Sequence, residues 1–220
     1  MTSPALLKSL ALLALLLPMA ACAAADGPAA ANAAAVVEGR DYVVVDGGQP
    51  YRPLDGKIEV VEVFAYTCPH CAEFQPALSA WVARLPDDVR FTYVPAPFGP
   101  GETWARAFFV AEEAGAVRRT HEALFAAVHR DGLLAHNATA GELAWFYGQH
   151  GLDPTRMKVA MLSPEVEAKV RHARQFSLDI QLPGTPTLVV NGKYVITPRS
   201  HADALRIADG LVAKLRDARH

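Results

Sequence analysis

Residues 58–71 read Ile58-Glu59-Val60-Val61-Glu62-Val63-Phe64-Ala65-Tyr66-Thr67-Cys68-Pro69-His70-Cys71, and this stretch decides the fold. Ile58, Val60, Val61, Val63 and Phe64 form a nearly continuous apolar run, which predicts a central strand covered on both faces. From Pro69 the period changes. Phe74, Leu78, Trp81, Val82 and Leu85 recur at three- and four-residue spacing, which predicts a helix with one apolar stripe, stopped by Pro86-Asp87-Asp88. Val89 to Val94 then alternates as a strand, completing a strand–helix–strand crossover unit.

Outward from this unit, Tyr42 to Val45 is a short β-branched run ended by the turn cluster Asp46-Gly47-Gly48-Gln49-Pro50. On the other side, residues 102–180 carry only helical patterns. Trp104, Ala107, Phe108 and Ala111 form one stripe; Val117, His121, Leu124, Phe125 and Val128 a second; Leu143, Phe146 and Tyr147 a third. Val166, Val170 and Ala173 form a fourth, opened by Ser163-Pro164-Glu165. Gly115, Gly132, Gly148 and Gly151 with Asp153-Pro154 read as punctuation between them. Thr187 to Val190 and Tyr194 to Thr197 are short strands joined at Asn191-Gly192, a strong hairpin signal. A last helix from about Ser200 turns Leu205, Ala208, Leu211, Val212 and Leu215 inward. The order βαβ, helices, ββα predicts two halves of one sheet separated by a helical insertion, with no internal repeat.

The chain has 220 residues, with 21 Lys and Arg against 23 Asp and Glu. That balance, with no basic block, argues against a protein that grips phosphate backbones, so no nucleic-acid partner is expected. Three cysteines are too few for a disulfide scaffold. Residues 1–21 read as a signal peptide: Lys8 is its only charge, and Leu10 to Leu17 is an apolar run closed by Pro18. The run falls far short of the ~20 residues that span a bilayer. Met19-Ala20-Ala21-Cys22 resembles a bacterial lipobox, which would lipidate Cys22 and supply the only membrane attachment; ordinary cleavage within the Ala-rich stretch would instead discard Cys22. Residues 22–39 read as an Ala-rich spacer.

Cys68 and Cys71 stand one helical turn apart at the edge of the first helix, close enough to bond to each other. The first thiol lies at the positive end of the helix dipole, where free backbone N–H groups favour a thiolate. Pro69 suits the first helical position, and a His70 side chain that is protonated or donates a hydrogen bond adds to the effect. A zinc site would need two further ligands, and neither a second cysteine pair nor a paired histidine is present: His121-Glu122 is followed by Phe125. A three-residue step also closes too small a loop for a structural staple. The strand–CxxC–helix context of an exported chain points to redox chemistry, with no metal.

The stretch Phe64 to Phe74, with Pro-His between the cysteines, resembles the active site of the DsbA family of periplasmic thiol:disulfide oxidoreductases. Leu182-Pro183-Gly184-Thr185-Pro186-Thr187 and the following Val190-Asn191-Gly192-Lys193-Tyr194 are similar to that family's cis-proline loop and hairpin. The resemblance covers about residues 40–217. It implies an α/β thioredoxin fold, residues 40–99 and 181–220, with an all-helical domain, residues 100–180, inserted between the βαβ and ββα halves. Cys68 would be the exposed attacking sulfur and Cys71 the buried resolving one. Thr185 would offer its backbone to an extended substrate beside cis-Pro186, although by itself an X-Pro bond is trans by default and Pro186 could merely open a strand. Glu62 reads from sequence as a solvent-facing position of an edge strand; the resemblance makes it a buried acid assisting proton transfer at Cys71.

No cofactor is implied beyond the Cys68–Cys71 disulfide. The implied activity is oxidation of reduced, unfolded exported proteins in the periplasm of a Gram-negative bacterium. A DsbB-like, quinone-linked membrane oxidase would restore the disulfide, and a monomer is expected. A disulfide isomerase or reductase is the alternative enzyme, because many oxidising members carry Val where Thr185 stands. Against it, residues 36–57 are too few for the dimerisation domain that isomerases bear. A tethered thiol-binding chaperone or metal carrier is the non-enzymatic alternative. His121, His129, His136, His150 and His172 read as surface or packing residues, and Trp104, Phe108 and Phe109 as helical core.

Overall fold

The computed structural model describes residues 35–99 and 101–219. The signal peptide, the lipidation reading of Cys22 and most of the Ala-rich spacer lie outside the described residues. Near the spacer's end, Val36 already packs against the core, and the Val37 N–H donates to the Asp41 carboxylate at 2.9 Å.

The strands are β1 (Tyr42–Val44), β2 (Ile58–Phe64), β3 (Val89–Pro95), β4 (Thr187–Val190) and β5 (Tyr194–Ile196). They form one sheet in the order β1-β5-β4-β2-β3. β2 runs parallel to β3, with Glu62 opposite Tyr93, and antiparallel to β4, with Glu62 opposite Leu188. The helix α1 (Pro69–Val82) makes the β2–β3 crossover. Between β3 and β4 come α2 (Gly101–Glu113), α3 (Val117–His129), α4 (Ala140–Gln149), α5 (Pro154–Ala160) and α6 (Pro164–Asp179); α7 (His201–Asp217) closes the chain. This is the thioredoxin fold with a helical insertion.

Alternation along the strands sorts their side chains between two cores. Ile58 and Val60 of β2, Leu188 and Val190 of β4 and Ile196 of β5 pack with Phe74, Leu78 and Trp81 of α1 and with Ile207 and Leu211 of α7. Val61 and Val63, Val189 and Val195 face the other way. They share a core with Trp104, Phe108 and Phe109 of α2, Leu124 of α3, Tyr147 of α4 and Phe176 of α6. Continuous apolarity in β2 thus reflects coverage on both faces.

Two elements differ from the sequence expectation. α1 ends at Val82, so Leu85 packs from the following loop rather than from the helical stripe. Residues 154–160 form a short helix, because Asp153 and Pro154 are its N-cap and first residue, not a turn: the Asp153 carboxylate accepts from the Arg156 N–H at 2.7 Å. Thr139 likewise caps α4 in a capping box with Glu142. At the β4–β5 hairpin, Asn191 and Gly192 both have positive φ. Gly192 is also fixed by close approach, since a Cβ there would overlap the Gln49 backbone.

Candidate active site

β2 ends under α1, and the turn between them is closed by the Cys68 N–H donating to the Ala65 carbonyl at 3.0 Å. Cys68 is the N-cap of α1 and Pro69 its first residue, where the missing N–H has no helical partner to lose. Cys68 is half-buried, Cys71 is 0% exposed one turn later, and both are free thiols. Their environments drive them apart. The Cys71 S–H bonded to the Cys68 sulfur, then the Thr185 side chain and the main-chain N–H groups of Cys71 and His70, lower the Cys68 thiol to about 5 against the opposing effect of burial. When protonated, that thiol donates to the Thr185 carbonyl at 3.1 Å. Cys71 is pushed well above the usual thiol range by the same bond to Cys68, by burial and by the charge of Glu62. One proton is therefore held on Cys71 while Cys68 carries the negative charge.

Glu62 lies in the middle of the sheet, between β3 and β4, and is 0% exposed. The solvent-facing, edge-strand reading of this residue is overturned: the apolar run that contains it is central, so its carboxyl is carried inside with its neighbours. Neither oxygen has a hydrogen-bond partner among the described residues. Burial, and secondarily the Cys68 charge, push it up to about 8. The carboxyl is therefore mostly protonated at neutral pH. Its strand neighbour Tyr93 receives a hydrogen bond at 3.0 Å from the buried Gln75 amide of α1.

The Thr185–Pro186 peptide is cis, and Thr187 Oγ1 donates to the Gly184 carbonyl at 2.8 Å, bracing the same loop. This loop lies against the half-buried sulfur of Cys68. The His70 side chain points away: it is exposed, with Nδ1 3.3 Å from a Glu73 carboxylate oxygen, and only its backbone N–H serves Cys68.

Two contributors escaped sequence reasoning. The buried His121 Nδ1 bonds the Tyr66 hydroxyl at 2.7 Å, and the His129 Nε2 bonds the Tyr66 carbonyl at 2.7 Å. Helix α3 of the insertion thus holds both ends of the residue two positions before Cys68. Burial lowers His121 to about 3, which keeps the imidazole neutral. The only sequence signal was a shared helical face, eight residues apart, which says nothing of what that face meets. The buried Glu59 was also missed. Its carboxylate accepts from the Tyr51 and Arg52 N–H groups at 2.7 and 3.0 Å and from Arg90 at 3.0 Å.

Among the described residues no group of three or more His, Cys, Asp or Glu side chains is arranged for a metal, and no helix is long and apolar enough to cross a membrane. Two grooves flank Thr185. One of about 430 Å³ runs past His70 and Pro186 towards His201, and the other, of about 630 Å³, runs past Ala65 towards Phe98 and Leu178.

Residues 59–208 match the family described as "DSBA-like thioredoxin domain". The thiol:disulfide interchange protein DsbA of Azotobacter vinelandii is 38% identical over 186 residues, covering 82% of this chain and 85% of that protein. Among solved structures, the oxidoreductase DsbA from Xylella fastidiosa superposes with a TM-score of 0.81 at 47% identity, covering 83% of this chain and 98% of that one. Pseudomonas aeruginosa DsbA superposes with a TM-score of 0.77 at 34% identity, covering 84% and 96%.

Proposed function

The chain belongs to the DSBA-like thioredoxin-domain family and is a thiol:disulfide oxidoreductase, and from that premise we propose that it acts in the periplasm as a dithiol oxidase for exported proteins. The observation that carries this reading is the separation of the two thiols, with Cys68 near 5 and Cys71 buried and protonated. A sulfur that is stable as a thiolate is a good leaving group. It favours the reduced enzyme and so makes the disulfide oxidising.

In the forward reaction a substrate thiolate attacks Cys68 Sγ of the Cys68–Cys71 disulfide. The S–S bond breaks, a mixed disulfide forms between substrate and Cys68, and Cys71 leaves with the electron pair. Glu62, protonated in its buried site, supplies the proton that Cys71 takes up. A second substrate thiol, after losing its proton, attacks the substrate sulfur of the mixed disulfide and expels Cys68 as a thiolate. The substrate loses two electrons and gains a disulfide; the enzyme holds both electrons as a dithiol. A DsbB-like, quinone-linked membrane oxidase then accepts them. Thr185 and Pro186 present main chain to an extended substrate segment, and Pro69 and the His70 N–H shape the helix end that steadies the thiolate. Cys22 serves as lipid acceptor, which the mass of the mature amino terminus decides.

The test is the reduction potential of Cys68–Cys71 in glutathione buffers. A value well above thioredoxin's, about −270 mV, is expected. A value near thioredoxin's would move the assignment to the isomerase or reductase role, which Thr185 would then mark.

A further inference from the structure

A third groove, of about 500 Å³, lies between α1 and α3 and shares no lining residue with the two that flank Thr185. Ala72 and Pro76 of α1 and Phe125 and Ala126 of α3 give it apolar walls. Gln75, only 3% exposed, also lines it. The side-chain nitrogen of Gln75 is fully committed, donating to Ser79 Oγ and to the Tyr93 hydroxyl, both at 3.0 Å. Ser79 spends its one hydrogen on a Glu122 carboxylate oxygen at 2.7 Å. The Ser79 oxygen can therefore only accept, which fixes which end of the Gln75 amide is the nitrogen. Gln75 Oε1 is thus a buried acceptor, and no donor meets it among the described residues.

Two carboxylates, Glu73 and Glu122, line the same groove. Its own donors are already engaged: Arg130 is forked onto Asp131 at 2.8 and 3.0 Å, and His129 gives its Nε2 hydrogen to the Tyr66 carbonyl. A groove rich in acceptors, with apolar walls and its one arginine neutralised, is complemented by a cation that carries an apolar stem and several N–H donors. A metal ion or a bare ammonium lacks part of that description. Guanidinium meets all of it, with five N–H groups in one plane, weak hydration and a face that stacks on an aromatic ring. A buried amide oxygen without a donor is costly, and a donor brought by a ligand removes that cost. We propose that the groove between α1 and α3 binds the arginine side chain of a partner polypeptide, its guanidinium held between Gln75 Oε1 and the Glu122 carboxylate. Neither cysteine lines this groove, nor does Thr185. A partner anchored there leaves Cys68 open, so this site recruits a polypeptide without engaging it in thiol exchange, and the proposal does not rest on the oxidase reading above.

The experiment titrates isotope-labelled, oxidised protein with a tripeptide capped at both ends, Ala-Arg-Ala, and follows nuclear magnetic resonance signals of the Gln75 side-chain amide and of the Ala72 and Ala126 main chain. These signals should shift together and saturate. The same peptide with citrulline, which keeps the planar head and loses the charge, should bind at least about 10-fold more weakly, as expected for losing a charge-assisted hydrogen bond. Free arginine carries its own carboxylate towards Glu73 and Glu122 and should also bind more weakly than the capped peptide; tighter binding of free arginine would overturn a polypeptide as the occupant. Glu122→Gln, at an exposed position that can still accept from Ser79, should weaken the arginine peptide by about 5-fold or more. Gln75→Leu, which removes the buried acceptor, should do the same. Equal binding of the arginine and citrulline peptides overturns the proposal. So do affinities unchanged in Glu122→Gln, or shifts that centre on Cys68 and Thr185 instead of this groove.

Discussion

Burial raises Glu62, while hydrogen bonds lower Cys68 in spite of burial, and these opposite shifts make stability depend on pH and on redox state. In the reduced protein Cys68 is lowered from 9.0 to about 5, so its contribution grows as pH rises through that window and is lost as pH falls through 5. Glu62 is raised from 4.5 to about 8, so the folded state holds a proton that the unfolded state gives up, and stability falls as pH rises from 4.5 to 8. Between pH 5 and 8 the two offset each other. Forming the disulfide removes the Cys68 titration; His121, lowered from 6.5 to about 3, offsets Glu62 below pH 6.5, so Glu62 acts alone only above it. Urea midpoints of the oxidised wild type should therefore decline from pH 6.5 to 8, with a slope of up to ~1.4 kcal/mol per pH unit, while oxidised Glu62→Gln stays flat over that range. Reduced Glu62→Gln should gain stability with rising pH over the same range. Parallel pH profiles for wild type and variant would show that Glu62 is solvated in solution. The same variant should displace the pH profile of thiol exchange, because the proton taken up by Cys71 no longer has its donor.

Within β2 the two acids meet opposite fates, because positions three apart face opposite sides of the sheet. Glu62 has no partner, whereas Glu59 accepts two main-chain N–H groups and the Arg90 guanidinium, tying Tyr51 and Arg52 to the strand. Glu59→Ala leaves these donors without their acceptor and should cost about 3–5 kcal/mol in chemical denaturation, with the reduction potential of the cysteine pair unmoved. A loss below about 1 kcal/mol would mean that water replaces the carboxylate. This difference was not legible in the sequence, where both residues are acids in an apolar run. What separates them is the approach of residues 51–52 and Arg90, which only the folded chain supplies. The strand, the crossover helix and the CPHC spacing were legible because strong local period and cap chemistry specify them. The grip of His121 and His129 on Tyr66 was not, since it joins positions 55 and 63 residues apart. The α5 start was misread for a narrower reason: Asp-Pro serves equally as a turn and as an N-cap with a first helical residue.

Across the whole molecule, the sheet has a helical cover on each face, and the two covers come from different parts of the chain. α1 and α7 pack on the face of Val60 and Val190, while the face of Val61, Val63, Val189 and Val195 finds its partners in α2 to α6. An insertion that supplies one whole layer is part of the core, since a sheet with one bare apolar face cannot remain folded in water. The same layer carries the α3 histidines that hold Tyr66 and the α6 turn whose Leu178 lines a groove with Thr185, so fold and site depend on it together. Replacing residues 100–180 by a short Gly-Ser linker should therefore give a chain with retained far-UV but lost near-UV circular dichroism, strong binding of a hydrophobic dye and no cooperative unfolding transition. Because Tyr66 would lose both histidine partners, the turn before Cys68 would loosen, and the Cys68 thiol should return towards ordinary reactivity in alkylation assays across pH. A cooperative transition in the excised chain, with Cys68 still ionising near 5, would instead show that the two sheet halves form the site without the helices.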